Sequence, residues 1–439
     1  MQPAPDASGA TPRIVPRDQH PISRKQISPN ALRVLYRLRE AGFGGYLVGG
    51  AVRDLLIGLA PKDFDVATDA TPEQVRQLFR NCRLIGRRFR LAHVVFGREI
   101  IEVATFRAGS DDGSGDREAE DGGRLLRDNI YGNIEEDALR RDFTANALFY
   151  AIEDFSVRDY VGGFDDVQRR VLRLIGDPET RYREDPVRML RAVRLAAKLQ
   201  FSIEPATAEP IPRLAGLLAD ASSARLFDES LKLFLGGHGE ASFLGLEQYG
   251  LLEVLLPDTH RALAADPSGL CRDLILRALR GTDARVREDK PVTPSFLFAA
   301  LLWPAYAGTL QRMLIDRFDL AVAEQRAADR VLLRQVARIA IPRRFGMPMQ
   351  ELWWMQSRFG ARQRKRVLRL LAHPRFRAAY DFLELRAAVA PELAEQVDFW
   401  REAQQLDPQR LAEKLAGQTG DDPPPRRRRR RRSPARSDA

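Results

Sequence analysis

Two hydrophobic periods run along this chain, and the change from one to the other divides it. Through about residue 168, short apolar runs sit between glycines and polar clusters: Tyr46-Leu-Val ahead of Gly49-Gly50, then Phe64–Ala67, Cys82–Ile85, Ala92–Phe96 and Ile100–Arg107. Short runs bounded by turn residues predict strands. Helical spacing interrupts them at Asn30–Ala41, where Leu32, Leu35 and Leu38 recur, and again just after Gly50. Thr71-Pro72 offers an N-cap hydroxyl and a first-position proline, so another helix starts there. Asp137–Tyr150 also reads as a helix, and Asp159–Val167 as a strand and turn that close this region. From Arg173 the spacing is helical nearly to the end, through 173–199, Leu226–Leu235, Phe296–Trp303, Glu351–Phe359 and Tyr380–Val389. The pattern predicts an α+β chain, strands with helices first and helices alone afterwards.

Composition narrows the class. A chain of 439 residues exceeds one ordinary core, so two to four packed units are expected. No apolar run reaches the ~18 residues of a membrane span, and Met1–Ser23 lacks the apolar core of a secretory signal. Cys82 and Cys271 are the only cysteines and the five histidines are scattered, which predicts a reducing, cytoplasmic location without disulfides or a zinc site. The formal charge of +10 is concentrated: residues 423–439 hold eight Arg and one Asp, a net +7. Pro423-Pro-Pro followed by Arg426, Arg427, Arg428, Arg429, Arg430, Arg431 and Arg432 cannot bury a core and is expected to be disordered. Its guanidinium groups suit the phosphates of RNA, or an anionic lipid surface. Gly109–Gly123, acidic and rich in Gly, is expected to be a mobile loop.

The chemistry gathers in the strand region. Tyr46-Leu-Val-Gly-Gly-Ala-Val-Arg-Asp runs from a strand through a Gly-Gly turn into a helix, and Asp63-Phe-Asp65 follows. Period-two alternation puts Asp63 and Asp65 on one face and Phe64 on the other. Carboxylates that close repel one another unless a cation lies between them, and hard oxygen ligands suit Mg2+ or Mn2+. Two such ions about 4 Å apart clamp an in-line displacement at phosphorus. Gly49 and Gly50 let backbone N–H groups approach a phosphate, the following helix aims its positive end there, and Arg53 adds a planar donor fork. This equipment points to nucleotidyl transfer. Glu102, an acid among apolar neighbours, is either a solvent-facing strand residue or a third carboxylate beside Asp63 and Asp65.

Arg141, Asp142 and Asn146 fall within about a turn and a half of their predicted helix. Asp185, Arg188, Arg191 and Arg194 recur every third residue along one side of another, whose other side, Leu190, Val193 and Ala197, can pack. A row of like charges repels itself, so it is expected to face phosphates or base edges. Two basic segments stay open: Gly86–Arg90 faces either the triphosphate and acceptor or solvent, and the helix from Arg362 either contacts RNA or is a solvated face. Trp303, Trp353, Trp354 and Trp400 are expected in the core or in helix packing, with base stacking as the other reading.

Leu47-Val-Gly-Gly-Ala-Val-Arg-Asp, Asp63-Phe-Asp65, Arg140-Arg-Asp-Phe-Thr and Glu184-Asp-Pro-Val-Arg-Met-Leu-Arg, in this order, resemble the class II nucleotidyltransferases, which include bacterial poly(A) polymerases and CCA-adding enzymes. Leu84-Ile-Gly-Arg-Arg-Phe-Arg-Leu-Ala-His-Val resembles the short signature that separates poly(A) polymerases from bacterial CCA-adding enzymes. Ala224–Phe234, Phe376–Asp381 and the Arg-rich tail are similar to poly(A) polymerases as well. The resemblance implies a catalytic head with a small mixed sheet at 26–168, after a disordered extension at 1–25. A helical neck at 169–240 would bind nucleotide and RNA, a helical body at 241–410 would bind RNA, and a disordered basic tail would occupy 411–439. It also implies that Asp63 and Asp65 bind two metals and that Asp142 is a further active-site aspartate. Gly50, Arg53, Arg141, Asp185, Arg188, Arg191 and Arg194 would contact the nucleotide. The implied activity is template-independent addition of AMP from ATP to RNA 3′ ends by a monomeric enzyme, with RNA-decay proteins as further partners. Two other activities share these residues or this fold: a CCA-adding enzyme, and an RNA-binding protein with a lapsed catalytic head.

Overall fold

The apolar runs of the first third become one mixed sheet because they are bounded by turn residues and most bury at least one face, the edge strand at Cys82–Ile85 excepted. The computed structural model describes residues 11–86, 90–108, 119–120, 124–125 and 131–416. The strands and helices of the first region are β1 (Arg13–Val15), α1 (Pro29–Glu40), β2 (Gly45–Val48), α2 (Gly50–Leu56), β3 (Asp65–Thr68), α3 (Pro72–Leu78), β4 (Cys82–Ile85), β5 (Leu91–Phe96) and β6 (Glu99–Thr105). A two-residue ribbon pairs β7 (Ala119–Glu120), inside the 109–123 segment expected to be a mobile loop, with β8 (Arg124–Leu125) just after it; most of that segment lies outside the described residues. Then come α4 (Ile134–Leu139), β9 (Leu148–Ala151), β10 (Val157–Asp159) and α5 (Gly163–Arg169). The sheet order is β1-β10-β9-β2-β3-β6-β5-β4, with β3 and β6 parallel and every other pair antiparallel.

Caps fix where the helices begin. Ser28 accepts from the Asn30 and Ala31 N–H groups with Pro29 at the first position, and Thr71 closes a capping box with Gln74. Ala31, Val34, Leu35 and Leu38 of α1 are fully buried, and α1 contacts β2, β3 and β6. On the sheet, Tyr46, Val48, Ala67 and Phe149 form a cluster with Phe106 and Ala138 of α4.

Asp137–Tyr150 is not one helix, contrary to the spacing. α4 begins at Ile134, after the N-cap Asn133 whose capping box with Glu136 sets the start, and ends at Leu139; a 3-10 turn at Thr144–Asn146 leads into β9. Leu148–Ala151 is buried on both faces between β2 and β10, and a continuous apolar run of that kind satisfies either period until its neighbours are known. Similarly, the helix expected through Asp185 is two: α6 (Pro178–Glu184) and α7 (Val187–Leu199). Pro186 has no N–H to continue α6 and holds the preceding residue extended, as Asp185 is at φ −145° and ψ 94°. The expected all-helical stretch also contains a parallel ribbon, β11 (Val171–Leu172) with β12 (Ser202–Ile203).

The chain divides into two compact units, one of residues 1–257 with 283–289 and 337–340, the other of 258–282, 290–336 and 341–439. The first is completed by α8 (Pro205–Ala208), α9 (Pro210–Leu214), α10 (Ser223–Phe234), α11 (Gly239–Gln248) and α12 (Leu251–Leu255). After it come α13 (Pro257–Ala264), α14 (Leu270–Arg287), α15 (Pro294–Ile315), α16 (Leu320–Arg338), α17 (Arg343–Arg358), α18 (Arg364–Leu371), α19 (Phe376–Ala387), α20 (Ala394–Ala403) and α21 (Pro408–Ala416). The tryptophans do pack helices in the second unit: Trp353 and Trp400 are fully buried, and their indole N–H groups donate to Ala299 O and Phe359 O. No helix among the described residues is long and apolar enough to cross a membrane. The Arg426–Arg432 run lies outside the described residues.

Candidate active site

Strand pairing brings the acids together. Val48, Asp65, Glu102 and His93 stand in register on β2, β3, β6 and β5, and directly paired residues share a face. Glu102 therefore stands beside Asp65, the sharper of the two readings of its sequence context, with His93 Nε2 3.3 Å from its Oε2. Asp63 lies just before β3, exposed like Asp65, while Phe64 between them is buried, as the alternation requires. Although solvent reaches Asp65, the surrounding walls desolvate its carboxyl. That burial, then the charges of Glu102 and Asp63, push its pKa up to about 6 against the opposing pull of Arg141.

The Gly-Gly turn opens beside these acids. Gly49 joins β2 to α2 at φ +72° and ψ −132°, where a side chain would be strained, and a Cβ there would point at Arg141 Nη1, 3.6 Å away. Arg141 is aimed by Asp137, which accepts from Nη2 at 2.7 Å, and lies over the Phe149 ring at 5.2 Å. Arg53 is differently employed from the free fork that the sequence suggests. It is 3% exposed, donates to Asp54 Oδ1 from Nε at 2.9 Å and Nη2 at 2.6 Å, and donates through Nη1 to Asn146 Oδ1. Its guanidinium lies under Gly50, whose Cβ would stand 3.4 Å from Nη2.

Asp142 joins this turn to α7. Its Oδ1 accepts from the Phe143 N–H at 2.8 Å and from Asn146 Nδ2 at 3.2 Å; its Oδ2 accepts from Arg191 Nε at 2.9 Å and Nη2 at 2.5 Å. Burial raises its pKa, but Arg191 and these hydrogen bonds outweigh burial and hold the carboxyl below the usual range.

The basic row on α7 is not a bare cationic face. Arg188 pairs with Glu184 at 2.8 Å, Arg191 with Asp142, and Arg194 with Glu229 of α10. Asp185 accepts from Arg225 at 2.8 Å. Self-repulsion along the row is relieved by carboxylates from other elements, which spacing along one helix does not show.

Sequence reasoning passed over Arg181, Lys198 and Glu229. Arg181 donates to the carbonyls of Arg140 and Arg141 at 2.9 and 2.7 Å, tying α6 to the turn that carries Asp142. Lys198 stands 3.8 Å from Asp54, whose own carboxylate holds Arg53. Glu229 alone had a signal, an acid on the apolar side of α10 beside Leu226 and Leu233.

The residues fit a divalent cation. Burial first, and then repulsion by Glu102 and Asp63, raise Asp65, and a cation among the three carboxylates would relieve that repulsion. Among the described residues no three His, Cys, Asp or Glu side chains stand so that they could hold an ion by themselves. Such a cation would need oxygens from outside the chain, as Mg2+ bound by one or two carboxylates and a phosphate does.

Three family models match the chain: the poly A polymerase head domain over residues 45–173, the probable RNA and SrmB-binding site of polymerase A over 200–263, and the polymerase A arginine-rich C-terminus over 317–434. Poly(A) polymerase I of Salmonella typhi is 53% identical over 407 residues, covering 90% of this chain and 86% of its own length. The CC-adding tRNA nucleotidyltransferase of Halalkalibacterium halodurans is 38% identical over 220 residues, covering 50% of this chain and 52% of its own length. The crystal structure of the Bacillus stearothermophilus CCA-adding enzyme in complex with CTP superimposes with a TM-score of 0.57 at 26% identity, covering 89% of this chain and 82% of that one. With identity to a poly(A) polymerase sustained through head and helical regions alike, the chain belongs to the bacterial poly(A) polymerase I family.

Proposed function

We propose that the chain transfers AMP from ATP to the 3′-hydroxyl of RNA with release of pyrophosphate, repeating the step without a template to build an A tail. The observation that carries this reading is the convergence of the Gly49-Gly50 turn, Arg141 and the Asp63, Asp65 and Glu102 carboxylates at one end of β2, β3 and β6. Divalent cations held by Asp63 and Asp65, with Glu102 beside them, would lower the pKa of the attacking hydroxyl and neutralise charge on the leaving pyrophosphate. Gly49, without a Cβ, lets the triphosphate approach the backbone, and Arg141 beside it supplies a fixed positive charge. Arg53, locked by Asp54 and Asn146 beneath Gly50, keeps the turn in shape and adds positive potential under the phosphates. Asp142, Arg191 and Arg194 form the wall toward α7. Asp185 and Arg188 read the edge of the base once Arg225 and Glu184 yield their places to it.

Addition of A residues leaves an unstructured 3′ end on which exonucleases can start, so the activity would promote RNA decay. The free thiols Cys82 and Cys271 fit the reducing cytoplasm. The likeness to tRNA-processing enzymes favours CCA addition as the second reading. The discriminating experiment incubates the full chain with unstructured RNA and each NTP singly. Long extension with ATP alone supports the proposal, and CTP incorporation confined to tRNA ends overturns it. Asp65→Asn should abolish extension; activity that survives it removes the carboxylates from the mechanism.

A further inference from the structure

In the second unit, a cavity of about 400 Å³ lies among α15, α16, α17 and α19, and the proposed reaction makes no use of it. Trp303, Tyr306 and Trp353 give it an aromatic wall, with Tyr306 stacked on Trp353 at 4.6 Å. Its polar lining includes Tyr306, Glu324 and Arg386, together with Gln311, Gln356, Ser357 and Gln396. Tyr306 is 1% exposed, and its hydroxyl has no hydrogen-bond partner. An unpaired buried hydroxyl is destabilising, so a partner from outside the chain is expected. Glu324 and Arg386 both act on that hydroxyl through space, which places a carboxylate and a guanidinium around it.

Arg386 is held ready rather than neutralised. It lies over the Trp303 ring at 4.5 Å and donates through Nη1 to Gln356 Oε1 at 3.1 Å. Gln356 is itself fixed, its Nε2 donating to Leu352 O at 3.0 Å and Ala379 O at 3.2 Å. Among the described residues no carboxylate pairs with Arg386 directly; Glu392 acts on it only through space, and burial brings its pKa down to about 10. One end of the cavity thus offers a planar donor fork, a carboxylate acceptor and a hydroxyl that can do either. An apolar peptide side chain would leave the Tyr306 hydroxyl still without a partner. The edge of a nucleobase presents ring and carbonyl acceptors beside amino or imino donors, and the volume is within the range of small-ligand sites.

We propose that this cavity binds one unstacked nucleobase of single-stranded RNA, with Arg386, Glu324 and Tyr306 Oη on its hydrogen-bonding edge. The RNA follows from the function proposed above; the site itself is separate from the carboxylate cluster.

Trp303, Trp353, Trp354 and Trp400 are the four tryptophans of the chain and all lie in this unit, so indole fluorescence reports on it and not on the head. The experiment titrates the full chain, without ATP and at fixed high salt, with hexaribonucleotides of A, C or U and with one carrying a single G. Saturable quenching is expected for at least one of them. Tyr306→Phe and Glu324→Gln should each weaken it roughly 5- to 30-fold, the effect of one hydrogen bond, and leave AMP transfer at saturating RNA unchanged. Tyr306→Phe removes a single oxygen, so it keeps the packing even if Glu324→Gln does not. No quenching, quenching untouched by Tyr306→Phe as for a cavity that holds only water, or quenching by an apolar peptide and not by RNA overturns the site. AMP transfer assayed on the same samples separates the two readings. Lost quenching with intact transfer overturns this site alone, whereas intact quenching without transfer supports it and overturns the proposed reaction.

Discussion

Asp142→Asn tests whether one carboxylate ties the turn after α4 to α7. The substituted amide retains an oxygen for the Phe143 N–H and Asn146 Nδ2 but turns an NH2 group toward the Arg191 guanidinium, so two charge-assisted bonds are replaced by opposed donors. Hydrogen bonds to charged groups contribute about 1.5–3 kcal/mol each, and losing one partner of a buried pair costs about 3–5 kcal/mol. The Arg191 side chain is 39% exposed and regains part of this from water, so the expected loss is roughly 2–3 kcal/mol. The pH dependence has a definite sign. Because the folded-state pKa is depressed, the contribution is fully present above the ordinary carboxylate value of about 4 and is lost as pH falls through the lower folded value. The difference between the native chain and the variant should therefore be constant above about pH 5 and shrink in acid. Tryptophan fluorescence is blind to this region, so stability is read by hydrogen exchange in urea on peptides spanning 134–152 and 187–199. Arg191→Gln closes a double-mutant cycle, with an expected coupling of about 1.5–2 kcal/mol. A loss under about 0.5 kcal/mol near pH 7, or a difference undiminished at about pH 3, refutes the tie.

Gly163→Ala should lower stability by about 1–3 kcal/mol or more, because its Cβ would fall 2.1 Å from Thr144 O, in the turn that carries Asn146. Gly216→Ala, with nothing within 4 Å, is the control, and equal melting temperatures for the two would contradict the close approach. Glu229→Gln removes the charge that balances Arg194 within 5%- and 15%-exposed surroundings, next to the cationic influence of Lys198 on His238. A loss of about 2–4 kcal/mol is expected in chemical denaturation, and an unchanged midpoint would show that Arg194 needs no partner. Deleting residues 423–439 takes away a net charge of +7 and should weaken RNA binding more than ATP binding, with a shallower salt dependence; unaltered RNA affinity at low salt would remove the tail from RNA recognition.

What the sequence determines by itself is local. Turn residues and periods of two and 3.6 place β2, α2, β3, α3 and, in the second unit, parts of α15, α17, α18 and α19, because caps and alternation act within a few residues. Asp63, Phe64 and Asp65 are legible in the same way, since one strand's pleat decides which of them share a face. Glu102 needed the parallel pairing of β3 with β6 to be placed beside Asp65, and the run Leu148–Ala151 needed neighbours on both sides to become a strand. Only the tertiary structure decided the partners of the charged side chains. Arg53 is spent on Asp54 and Asn146, and Arg191 and Arg194 on carboxylates 49 and 35 residues distant. The free energy of a buried charge depends on which opposite charge and which water remain beside it, and those are set by packing between elements far apart in the chain.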